Sequence, residues 1–116
     1  MKQTLAHKRY NEDLLKILPK CNKLIEVGCS YGSLCRAYKM QYPKSYYIGI
    51  EIQEEYSEVA RKDCDLVLTG NISDLIFNPQ HNNLLHADCW IFGDCIEHLF
   101  DPWTILREVK RRTSLE

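Results

Sequence analysis

The sequence predicts an α/β fold, with a parallel sheet covered by helices on both faces. Two observations lead to this class. The runs Leu24–Val27, Tyr46–Ile50, Leu66–Leu68 and Cys89–Phe92 are hydrophobic along nearly their whole length, as strands buried on both faces are. Between these runs the apolar positions switch to helical spacing, and alternation of strand with helix is the pattern of a parallel sheet.

Each element carries its own signals. Tyr10, Leu14, Ile17 and Leu18 fall at helical spacing, with Asn11 as N-cap, Glu12 and Asp13 in the first turn, and Pro19 as the stop. The strand Leu24–Val27 closes on Gly28 and Gly32, a tight turn, and Leu34, Ala37 and Tyr38 then line one helical face. Tyr46–Ile50 is the second strand, followed by a helix carrying Tyr56, Val59 and Ala60, and Leu66–Leu68 is the third. The stretch from Gly70 to His86 holds Asn78-Pro79 and Asn82-Asn83 and predicts a partly irregular connection. Cys89–Phe92 is the fourth strand. Asp101 caps a final helix with Pro102 at its first position and Ile105, Leu106 and Val109 on its buried face.

Composition narrows the function classes. A chain of 116 residues makes a single domain over 1–116 with one core. Fifteen Lys and Arg against sixteen Asp and Glu give a net charge of -1, which exerts no pull toward phosphate backbones or anionic membrane. The cluster Arg107, Lys110, Arg111 and Arg112 sits in the last turns of a helix, where cations complement the dipole, so neither a nucleic-acid nor a membrane partner is expected. No apolar run approaches the roughly 20 residues of a membrane helix, and Met1–Thr4 lacks a signal sequence's apolar stretch. The expected location is cytoplasmic. There the six cysteines, none in a C-x-x-C pair, would be reduced and mostly buried.

Ligands of open parallel sheets bind beyond the carboxyl ends of the strands, where strand order reverses. The residues to consider are therefore Glu26 to Gly32, Glu51, Asn71 and Asp94. A dinucleotide fingerprint G-x-G-x-x-G would need glycine where this chain has Ser30 and Ser33. The spacing present is E-x-G-x-x-x-G, at Glu26, Gly28 and Gly32, which suits a ligand without a pyrophosphate.

Four segments in order resemble the class I S-adenosylmethionine-dependent methyltransferases. Leu24 to Leu34 (LIEVGCSYGSL) is similar to the first motif of that family, and Tyr47 to Glu51 to its second strand with terminal acid. Leu68 to Ile72 is similar to the segment that usually reads Gly-Asp before the adenine. Asp88 to Trp103 resembles the Glu-His-Leu, Asp-Pro block of a subgroup that includes small-molecule methyltransferases and methyltransferase domains joined to bacterial sugar transferases. The resemblance implies a Rossmann-like doubly wound sheet, here truncated after the fourth strand and its helix, with S-adenosylmethionine as cofactor.

It also implies roles. Glu51, about 20 residues beyond the glycine turn, would accept hydrogen bonds from both ribose hydroxyls. Gly28 and Cys29 would bring the backbone to the methionine moiety, with Gly32 relieving crowding at the helix start. Glu26 would offset the ligand's ammonium charge, directly or through water, or would be a strand-end acid capping the next loop. Asn71 would bond the adenine edge or simply make a turn, and Ile52 and Ile72 would wall the adenine or pack in the core. Asp94 would line the methionine end. With Glu97 and His98 it forms D-x-x-E-H, which could be a structural turn, a half-site for a divalent metal, or a source of a general base in His98; no metal is assigned. The expected activity is methyl transfer to an unidentified small-molecule or sugar acceptor. The alternative is a truncated, non-catalytic domain that binds cofactor or self-associates, for example as a homodimer through the exposed fourth strand.

Overall fold

The structure, a computed structural model, describes residues 10–93 and 99–113. Asp94, Glu97 and His98 lie outside the described residues. Helix α1 (Glu12–Ile17) is followed by strand β1 (Lys23–Val27), helix α2 (Ser33–Gln41), strand β2 (Tyr46–Glu51), helix α3 (Glu54–Ala60) and strand β3 (Leu66–Thr69). A four-residue helix α4 (Ile72–Leu75), a 3-10 turn at Pro79–His81, strand β4 (Cys89–Phe92) and helix α5 (Pro102–Arg111) complete the described chain.

All strand pairs are parallel, in the order β3-β2-β1-β4. The chain winds from β1 outward through β2 to β3, then returns to place β4 on the other side of β1. Strand order thus reverses between β1 and β4, and the crevice beyond their carboxyl ends is the expected ligand position.

Side-chain alternation along these strands builds two apolar layers. Leu24, Tyr47, Val67 and Ile91 face one side, where Leu34, Cys35, Tyr38 and Ala60 of α2 and α3 cover them and Leu14 of α1 packs at the margin. Ile25, Val27, Ile48 and Ile50 face the other, against Ile72 of α4, Ile105 and Val109 of α5, and Ile76 and Leu85 of the connection. The sheet is therefore covered on both faces, which is why its strands show no polar alternation.

The ends of the elements are fixed by the capping signals. Asn11 Oδ1 accepts from Leu14 N–H at 3.0 Å, and Asp101 Oδ1 accepts from Thr104 N–H at 3.3 Å. The Tyr38 hydroxyl donates to Pro19 O at 2.7 Å and accepts from Cys21 N–H at 2.8 Å, tying α2 to the approach to β1. Asp88 accepts from the N–H groups of Asn22 (2.9 Å) and Lys23 (2.8 Å), which fastens the start of β4 beside the start of β1.

Arg112 is 5% exposed and fully engaged. Its guanidinium donates to Glu108 Oε1 (2.9 Å), Ile76 O (3.0 Å), Asn82 Oδ1 (3.1 Å) and Leu85 O (3.4 Å), locking the end of α5 onto the connection between β3 and β4. Cys21, Cys29, Cys35, Cys64 and Cys89 are free thiols, and the first four are buried. No helix among the described residues is long and apolar enough to cross a membrane.

Candidate functional site

The turn after β1 is built on left-handed backbone. Gly28 (φ 81°), Ser30 (φ 53°) and Gly32 (φ 84°) all lie in the region that favours glycine. A Cβ at Gly32 would come within 3.0 Å of Ala60 Cα, so α3 can pack on this turn only because glycine stands there. The Gly28 and Cys29 N–H groups donate to Ile50 O at 2.7 and 3.1 Å, hanging the turn from the end of β2.

This brings the turn to Glu51. Its carboxylate accepts from Ser30 N–H at 2.8 Å through one oxygen and from Gln53 N–H at 3.0 Å through the other. Glu51 is 8% exposed. Two main-chain donors hold it in place, and each oxygen keeps a second lone pair for a ligand hydroxyl.

Glu26 lies at the end of β1 and is 7% exposed. Register places Leu24 opposite Tyr47 on β2, and the Tyr47 hydroxyl donates to Glu26 Oε1 at 2.7 Å. Burial pushes the Glu26 carboxyl up to about 7; the Tyr47 hydroxyl works against that rise and the Glu51 charge adds to it. Burial and the adjacent Glu26 likewise raise the Tyr47 phenol, which stays protonated and donates.

Between β1 and β4 opens a cleft of about 170 Å³ lined by Glu26, Gly28, Cys29, Ser30 and Ser33 on one side, Tyr10, Asn11 and Leu14 from the α1 segment, and Gly93 after β4. It occupies the position that strand order predicts. A side chain at Gly93 would meet nothing within 4 Å among the described residues.

The other anticipated residues are placed less uniformly. Cys29 contributes to the cleft wall, but its side chain is turned into the core, where its Sγ would stand 2.6 Å from a Cβ at Gly49. Ile52, beside Glu51, is 62% exposed, whereas Ile72 is buried in the second apolar layer. Asn71 caps α4: its Oδ1 accepts from Ser73 N–H at 2.8 Å, the turn role weighed against an adenine contact. Among the described residues no group of three or more His, Cys, Asp or Glu is placed to hold a metal ion. Three contributors escape sequence reading: Tyr47 as partner of Glu26, the Ser30 N–H as anchor of Glu51, and the α1 segment as cleft wall.

Carboxylate acceptors and bare backbone can receive a ligand that carries hydroxyls at one end and an ammonium at the other. Glu51 keeps lone pairs for vicinal hydroxyls, Glu26 is an acid for an ammonium, Gly28 presents bare backbone, and the described lining residues include no lysine or arginine.

Comparison with known proteins bears on the family and the fold. A family profile described as "Methyltransferase domain" matches residues 25–114. Comparison with curated protein sequences returns no match. Among solved structures, the plantazolicin methyltransferase BpumL in complex with SAH superposes with a TM-score of 0.70 at 18% identity, over 94% of this chain and 41% of that one. The N-terminal domain of EvdMO1 with SAH bound gives a TM-score of 0.69 at 16% identity, over 89% of this chain and 44% of that one. The plantazolicin methyltransferase BamL gives 0.68 at 14% identity, over 86% and 37%. The chain thus spans less than half the length of these structural relatives. With the profile covering most of its length, and with the four-stranded parallel sheet in place, the chain belongs to the methyltransferase domain family, whose cofactor is S-adenosylmethionine.

Proposed function

We propose that the cleft between β1 and β4 takes S-adenosylmethionine and that the chain is the cofactor-binding part of a methyltransferase acting on a small-molecule or sugar acceptor. One observation carries this reading: Glu51, anchored through both oxygens by main-chain N–H groups, stands across the glycine turn from Glu26, which lines the cleft. Such a pair suits a ligand with ribose hydroxyls at one end and an ammonium at the other.

The cofactor, when bound, supplies a methyl group already activated on sulfur. The chain's own contribution is positional. Glu51 orients the ribose, Glu26 orients the ammonium, and the Gly28 turn lets the backbone close on the ligand between them. Holding methyl donor and acceptor in line is then the main source of rate enhancement.

Calorimetric titration with S-adenosylmethionine, S-adenosylhomocysteine and NAD tests the proposal. The first two should bind and NAD should not. Glu51→Ala should weaken binding by about 100-fold, the loss of two hydrogen bonds to a charged acceptor. Undiminished affinity in that variant would remove the ribose assignment. Methyl transfer to candidate sugars by the chain and by longer forms of it would then separate an enzyme from a binding domain.

A further inference from the structure

Ser30 stands where the fold disfavours a side chain. It is the one non-glycine residue with positive φ among the described residues, between Gly28 and Gly32, which take the same conformation. Its N–H is committed to Glu51. Its hydroxyl is buried and has no hydrogen-bond partner among the described residues, an arrangement that costs stability. Backbone and side chain alike therefore argue for glycine on folding grounds.

The cleft supplies a reason for serine. Ser30 lines it together with Glu26, and the described lining residues include no Lys or Arg. An amino-acid group entering with its ammonium toward Glu26 also brings a carboxylate, for which Ser30 is a hydroxyl donor without another commitment among the described residues. We propose that the Ser30 hydroxyl donates a hydrogen bond to the α-carboxylate of the bound cofactor, turning about its Cα–Cβ bond out of its partnerless position. The turn breaks no hydrogen bond of that hydroxyl among the described residues. The inference rests on the cleft taking S-adenosylmethionine, as argued above.

The test compares S-adenosylmethionine with its decarboxylated analogue, which keeps the sulfonium, nucleoside and ammonium and lacks only the carboxylate. Calorimetry on the 116-residue chain should show a preference for the parent cofactor of about 10-fold, as expected for one hydrogen bond to a charged group. Ser30→Ala and Ser30→Gly should both abolish that preference, each variant binding the parent cofactor no more tightly than the analogue. Ser30→Gly should also melt above the starting protein, because glycine accepts the positive φ, so a lost contact is distinguished from a damaged fold. A preference that survives in either variant, or one absent from the starting protein, overturns the role of Ser30. Failure of the starting protein to bind S-adenosylmethionine at all overturns the cofactor reading itself, and this inference with it.

Discussion

The Tyr47 hydroxyl donates to Glu26 Oε1 at 2.7 Å, which joins adjacent parallel strands by a side-chain hydrogen bond at the base of the cleft. Glu26 is 7% exposed and Tyr47 fully buried, so the carboxyl is largely withdrawn from solvent with the phenol as its hydrogen-bond partner. That setting gives Glu26 a proton affinity unusual for a carboxylate.

A first prediction follows for pH. With its carboxyl raised by burial to about 7, Glu26 must lose a proton before it can pair with an ammonium below that pH. Affinity for S-adenosylmethionine should weaken by up to 10-fold per unit as pH falls below about 7, and weaken again above about 8 as an α-amino group deprotonates. Glu26→Gln should flatten the acid limb, which titrations from pH 5 to 9 would reveal. The ligand-free protein runs in the opposite sense. A folded-state value above the unfolded one stabilises at low pH, and that contribution is lost as pH rises from about 4.5 through about 7. Chemical denaturation across this window should show stability falling by up to about 3 kcal/mol, and Glu26→Gln should remove the slope.

A second prediction concerns Gly49. A Cβ there would lie 2.6 Å from Cys29 Sγ and 3.2 Å from Cys64 Sγ. Gly49→Ala should destabilise by about 1 to 3 kcal/mol through overpacking. Adding Cys29→Ala should recover part of the loss, so the two substitutions should be non-additive in a double-mutant cycle. Additive effects would mean that β2 yields instead of the thiol.

Arg112 gives the third. Arg112→Leu leaves Ile76 O, Leu85 O and Asn82 Oδ1 without this donor and Glu108 with Arg111 as its remaining partner, and should cost about 3 to 5 kcal/mol in urea denaturation. Arg112→Lys should recover little, because one ammonium cannot reproduce the fork that reaches Ile76 O and Asn82 Oδ1 together. A loss below about 1 kcal/mol for the leucine variant would show that other contacts hold the connection.

Association is the fourth. Strand β4 pairs with β1 alone, and its other edge has no strand partner among the described residues. Such an edge can accept a second copy. Sedimentation velocity over a dilution series should show a reversible dimer, and a single monomer boundary at every concentration would reject it.

Much of this architecture was legible because strand burial and capping leave local marks. The four apolar runs became β1 to β4 with ends shifted by a residue or so, and Asn11 and Asp101 cap where their side chains suggested. Glu26, Gly28 and the turn to Gly32 could be located because parallel topology fixes where strand ends meet. What escaped notice depends on contacts distant in sequence. Tyr47 reads as a core aromatic until register sets it beside Glu26. Arg112 reads as a cation at a helix terminus until the connection between β3 and β4 folds back over it. Helix α4 is only four residues long, too short for a periodic signal, and its cap Asn71 carries the same local signature as a ligand-binding turn.

Strand β4 has a second consequence. One lip of the cleft, Gly93, follows a strand that among the described residues is paired on one side, whereas the Gly28 lip follows β1, which is paired on both. Whatever fastens the outer edge of β4, a further strand or another copy, therefore steadies that wall of the cleft. Linkage makes the effect reciprocal: ligand in the cleft must favour the fastened edge by the same free energy by which the fastened edge favours the ligand.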